Sequence, residues 1–145
     1  MLQAQYKDLL QHPDIRFDVP ENGGYIEVKD AATHDTLAWV KSHDRASVEQ
    51  VIARSQKAQT AWKAQTALQR ADVLWAWFDL MQENKESLAQ ILTAEQGKPL
   101  AEARGEIGYA ASFIRWFAEQ ARRIDGEVLT PTLPNQRLLV IKQAV

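Results

Sequence analysis

TAEQGKPLAEARGEI, Thr93 to Ile107, sets where the helices of this chain break. It gathers Glu95, Glu102 and Glu106 around a Gly-Lys-Pro, a grouping that reads either as chemistry or as the join between two helices. The join is the better reading. Gly97 stands where a left-handed residue closes a helix cheaply, and Pro99 stands at the first position of the next, where its missing amide costs nothing. Glu102 and Glu106 are four apart and therefore neighbours on one helix face. Lys98 and Arg104 lie beside them, which favours a solvated charged surface over an acid–base pair. Gly97-Lys98 lacks the earlier glycine and the following hydroxyl of a phosphate-binding loop.

Working outward, the spacing predicts four main helices. Asp44 caps the first, with Val48, Val51, Ile52, Ser55, Gln59 and Trp62 along one side at three- and four-residue steps. Thr66 and Gln69 form a capping box for the second, whose inward stripe is Ala71, Leu74, Trp75, Phe78 and Met81. Asn84 caps the third, Lys85 to Gln96, with Leu88, Ile91 and Leu92 inward. The fourth runs from about Pro99 to Ile124, with Ala103, Ile107, Ala110, Ile114, Phe117 and Ala121 as its stripe. Before them, Ile26 and Val28 alternate with polar residues and Leu37 to Val40 is β-prone, a hairpin-like pair joined by DAATHD, Asp30 to Asp35. After them, a loop with Pro131 and Pro134 leads into RLLVIKQAV, Arg137 to Val145. The expected class is α+β, mainly helical, with an N-terminal β-hairpin and a C-terminal strand. Three parts follow: a helix and loop over 1–24, a helical part over 25–126, and a loop and arm over 127–145.

The 145 residues are 46% hydrophobic, enough for one core. A net charge of −2 gives no footprint for nucleic acid or an anionic membrane. No window has the apolar length of a membrane span, and the charged amino terminus lacks a signal-peptide core, so a cytoplasmic protein is expected. There is no cysteine, hence no thiolate ligand or cysteine nucleophile in this chain. His12, His34 and His43 lie in different expected elements without metal-ligand spacing, so no metal site is read. Trp77, Tyr109, Phe113 and Trp116 lie off the principal stripes, leaving helices that are apolar on more than one side and expected to be sandwiched. Gly105 and Gly108 inside the fourth helix each cost about 1 kcal/mol relative to alanine; close approach of another backbone or of a ligand tunnel would account for them. A chain that stops within its most strand-like segment reads as cut.

The hairpin, the helix ending AQTAW, the run LQRADVLWAWFDLM and the block QGKPLAEARGEIGYAASFIRWFAEQ together resemble the amino-terminal region of the aldehyde dehydrogenase superfamily, on its succinate-semialdehyde branch. The resemblance covers roughly residues 25–145, most specifically 93–126. It implies a partial aldehyde dehydrogenase fold in a parent enzyme that uses NAD or NADP. There a cysteine attacks the aldehyde, hydride passes to the nicotinamide, and a glutamate activates the water that releases the acid. It also implies that those residues, the dinucleotide-binding strands and the arginines for a succinyl carboxylate lie beyond Val145. This chain is therefore expected to hold no catalytic or cofactor-binding residue and to be inactive alone. The resemblance makes Tyr109 a wall residue of the aldehyde tunnel and Gly105 a clearance position beside it. Glu95 matches an acidic position that in some relatives joins backbone oxygens near Val28 and Lys29 at a structural cation, although a lone carboxylate makes no site. RLLVIKQAV matches the start of an oligomerisation arm, so the expected partners are the rest of such a chain or a second copy through Arg137–Val145, giving a homo-oligomer. Where relatives commonly have proline and glycine in the hairpin turn, DAATHD has neither. The rival reading is a free-standing helical interaction module or truncated paralogue without catalysis.

Overall fold

The computed structural model describes residues 4–21 and 23–144. Asn22, in the loop before the hairpin, and Val145, the last residue of the expected arm, lie outside them. The N-terminal segment holds a short helix, α1 (Ala4–Leu9), and a two-residue strand, β1 (Ile15–Arg16). The hairpin follows as β2 (Tyr25–Lys29) and β3 (Thr36–Lys41). Then come α2 (Arg45–Ala64), α3 (Ala67–Glu83), α4 (Lys85–Gln96) and α5 (Leu100–Gln120), a short 3-10 turn at Ala121–Arg123, and the strands β4 (Glu127–Leu129) and β5 (Leu138–Val140).

Among the described residues there are two antiparallel sheets, ordered β1-β3-β2 and β4-β5. The hairpin turn holds without proline or glycine because the Asp30 carboxylate accepts the amides of Ala32 (2.8 Å) and Thr33 (2.9 Å), while His34 takes a positive φ of 63°. That turn docks on α4, the Ala31 amide donating to the Ala94 carbonyl at 2.9 Å. Beneath it lies a small core of Tyr6 and Leu37 with Leu10, Phe17, Val28, Ile91 and Ala94 around them, and the Tyr6 hydroxyl donates to the Gln90 side chain. Residues 4–21 are thus tied into the fold by α1 and by β1, a strand absent from the sequence reading. Its two residues show no alternation of their own and are fixed by pairing with β3.

The helix ends follow their signals in most places. The Asp44 carboxylate accepts the Ser47 amide at 2.8 Å, and Thr66 with Gln69 closes the capping box. Gly97 is left-handed at φ 81° and its amide donates to the Thr93 carbonyl at 2.8 Å. Two expectations shift. Pro99 is the cap residue itself, with α5 starting at Leu100. Asn84 makes no side-chain cap for α4; its side-chain amide donates backward to the Leu80 carbonyl at 2.8 Å and closes α3. In the arm, the expected strand over 137–145 shortens to three residues and pairs with β4, which the sequence reading left as loop. The pairing of β4 with β5 brings the Val140 carbonyl against Gly126, where a Cβ would clash.

Packing is uneven. α3 packs along α5, and α4 along α5 as well. The buried residues at this contact are small: Ala71 from α3, Ala89 from α4, and Ala103, Ala111 and Ala118 from α5. The α5 stripe is therefore shifted by one position at two places, since Ala110 and Phe117 are exposed and Ala111 and Ala118 are buried. Close helix approach selects the methyl group and excludes the phenyl ring. α2 differs from all three: among the described residues none on it is buried, and the expected inward stripe through Trp62 faces outward.

Candidate functional site

α5 is apolar on two opposite sides. At 3.6 residues per turn Ala103, Ile107, Ala111, Ile114 and Ala118 share one face, turned into the bundle, while Gly105, Tyr109, Ser112, Phe113 and Trp116 share the other. On that second face Tyr109 is 66% exposed and Trp116 57%. Tyr109 and Phe113 meet edge to face with ring centroids 4.9 Å apart, so the aromatic surface is ordered within itself. A Cβ on Gly105 would meet nothing within 4 Å. The two expected site residues, Gly105 and Tyr109, lie one turn apart on this open face. Gly108 has another explanation: a Cβ there would come within 3.2 Å of the Lys85 ammonium, so what approaches is a flexible side chain rather than a backbone.

Of the acids gathered around Gly97 to Pro99, Glu106 is held in an ion pair, and Glu86 on α4 is held in another. Arg104 grips Glu86 in a bidentate pair at 2.7 and 2.8 Å, fastening α5 to α4. The Glu86 carboxyl is thereby lowered from 4.5 to about 2, first by hydrogen bonding to Arg104 and then by the Gln90 amide. Lys98 pairs with Glu106 across the start of α5. Gly97 sits against the hairpin turn, 3.0 Å from the Ala31 methyl for an added Cβ. The Gly-Lys-Pro stretch is a structural junction in which glycine, hairpin and ion pairs fit one another.

The structure also assembles a cluster the sequence reading missed. Asp14 lies 3.4 Å from the His43 ring, 3.8 Å from His12 and 4.0 Å from the Lys41 ammonium, with the Lys41 amide donating to its carbonyl at 2.8 Å. Its members are 31 positions apart at most and meet only because β1 pairs with β3, so spacing along the chain carries no trace of them. No group of three or more His, Asp or Glu side chains among the described residues is arranged to hold a metal ion. Glu95 is exposed near the end of α4. Both sheets among the described residues are antiparallel. No helix among them is long and apolar enough to cross a membrane.

Comparison with known proteins closes on one group. The sequence pattern described as the aldehyde dehydrogenase family matches residues 19–145. A glutarate-semialdehyde dehydrogenase of Pseudomonas putida is 48% identical over 125 residues, covering 86% of this chain and 26% of that protein. The NADP(+) succinate-semialdehyde dehydrogenase of Escherichia coli K12 is 46% identical over 124 residues, again 86% of this chain and 26% of the relative. A crystal structure of an E. coli NADP-dependent enzyme superposes with a TM-score of 0.81 at 46% identity, over 85% of this chain and 26% of that one. The chain spans about a quarter of the length of the relatives it matches.

Proposed function

The chain belongs to the aldehyde dehydrogenase family, and from that premise we propose that it supplies the amino-terminal part of an NAD(P)-dependent enzyme oxidising a short aldehyde with a distal carboxylate, succinate semialdehyde or a close homologue. The observation that carries this reading is the identity of 46 to 48% with enzymes named for succinate and glutarate semialdehydes. Within that enzyme the chain's work is architectural. It has no cysteine to form a thiohemiacetal, so turnover of aldehyde by this chain alone is not expected. Tyr109 contributes a wall of the aldehyde tunnel and Gly105 the clearance beside it; their shared open face on α5 supports the pairing. The strand β5 and the residues after it begin an arm through which copies associate.

A chimera tests the reading. The matching segment of the E. coli succinate-semialdehyde dehydrogenase is replaced by this chain, and NADPH formation is followed with succinate and glutarate semialdehydes. Turnover is expected, and Tyr109→Ala is expected to change KM more than kcat. A folded chimera inert toward both aldehydes contradicts the proposal.

A further inference from the structure

Tyr6 on α1 is 4% exposed and forms a small core with Leu37 of β3. A phenylalanine would fill that place as well, so packing alone leaves the hydroxyl unaccounted for. That hydroxyl donates to the side-chain carbonyl of Gln90 on α4. The amide at the same end of Gln90 donates to Glu86, one turn earlier on α4, at 3.0 Å, and Glu86 in turn holds the guanidinium of Arg104 on α5. Four side chains from three helices thus form one continuous line of hydrogen bonds.

Charge fixes the direction of that line. An ionised carboxylate only accepts, and Glu86 is ionised across the neutral range because Arg104 first and Gln90 second hold its carboxyl at about 2. Gln90 therefore turns its NH2 toward Glu86 and its carbonyl toward α1, where only a donor satisfies it. Tyrosine supplies that donor and phenylalanine does not. Bonds aligned head to tail polarise one another, so each strengthens the next. At the far end the Arg104 fork makes two parallel bonds to one carboxylate, which sets the roll of α5 about its axis as well as its distance from α4. Gly105 follows Arg104 directly and Tyr109 lies one turn beyond it, so the same roll aims both.

Tyr6 precedes residues 19–145, the part that matches the family pattern, and that pattern assigns it no role. We propose that Tyr6 is a positioning residue: through Gln90 and Glu86 its hydroxyl steadies Arg104, and with it the face of α5 that carries Gly105 and Tyr109. The effect on the aldehyde rests on the reading of that face as tunnel wall; the line of bonds does not.

Two measurements test it. The first follows the Glu86 carboxyl of the 145-residue chain by NMR as the solution is acidified. Tyr6→Phe keeps the ring and removes only the hydroxyl, and the Glu86 midpoint is expected to rise from about 2 toward the ordinary 4.5. Gln90→Leu is expected to raise it at least as far, and Tyr6→Phe added to Gln90→Leu to change nothing more, because the two act through one contact. A Glu86 midpoint indifferent to Tyr6→Phe overturns the line of bonds. The second measurement places Tyr6→Phe in the chimera with the E. coli enzyme. KM for succinate semialdehyde is expected to rise about threefold while kcat changes less, the scale of coupling carried through side-chain networks. An active chimera whose KM ignores Tyr6→Phe overturns the positioning role and leaves the proposed function standing. An unsubstituted chimera that is inert removes the proposed function and the effect on the aldehyde with it, while the titration still decides the line of bonds.

Discussion

Helices α2 and α3, of 20 and 17 residues, both open on a side-chain cap and both carry an amphipathic stripe, and they meet opposite fates. α3 lays Ala71, Leu74 and Phe78 against its neighbours, and Trp75 meets Phe78 edge to face at 5.7 Å. α2 holds its shape through the Asp44 cap, the Arg45–Glu49 pair at 3.0 Å and a composition rich in helix formers, and buries nothing. The difference separates two questions that a sequence poses together. Local residues decide whether a helix forms; a partner decides whether its apolar side is a core. In α3 the partner is α5. For α2 no element among the described residues packs along it.

Substitutions sharpen the contrast, beginning with the strongest. Ala111 is 1% exposed, and Ala111→Asp places an unpaired charge between helices, costing about 3–5 kcal/mol and abolishing the cooperative melt. The same change on the other helix, Ile52→Asp, stays within about 0.5 kcal/mol in the isolated chain. Thermal melts by circular dichroism compare the two directly, and equal losses would erase the distinction. The second effect concerns the arm. β4 and β5 are exposed along their whole length, and an isolated two-stranded ribbon is marginal in water. Removing Arg137–Val145 is expected to lower the self-associated mass seen by light scattering and to leave the melt of the helices nearly unchanged. A mass indifferent to the deletion contradicts the role given to that edge.

The smallest effect lies at the Glu86–Arg104 pair. Its carboxyl is depressed to about 2 from 4.5, so its contribution is complete above the unfolded value and disappears as the pH falls from about 4.5 toward 2. Glu86→Gln removes that segment of the pH dependence and nothing above it. Because the pair is solvent-exposed, the shift in melting temperature is small. An unchanged acid limb in the variant would mean that the pair does not tie α4 to α5 in solution.

Much of the architecture was legible because its signals are local. Asp44, Thr66 with Gln69, and Gly97 each act within four residues, and each marks a helix end where expected. The losses come where the deciding partner is distant. β1 exists through Val40 and Trp39, some 25 residues away, and β4 through Leu138 to Val140. On α5 hydrophobicity favours Phe117 and packing favours Ala118, because the approach of α3 leaves room for a methyl group only. At the candidate site, helical spacing alone puts Gly105 and Tyr109 on one face of α5, whereas the meeting of His12, His43 and Asp14 depends on strand pairing that no spacing rule contains.

Amide hydrogen exchange of the 145-residue chain reads the central claim most directly, that α3 and α5 form the packed core of the described residues while α2 stands outside it. Amides within 71–82 and 104–118 are expected to be protected to the level of global unfolding, and those within 49–62 to exchange much faster. Protection of 49–62 equal to that of 104–118 in the chain alone would contradict the account.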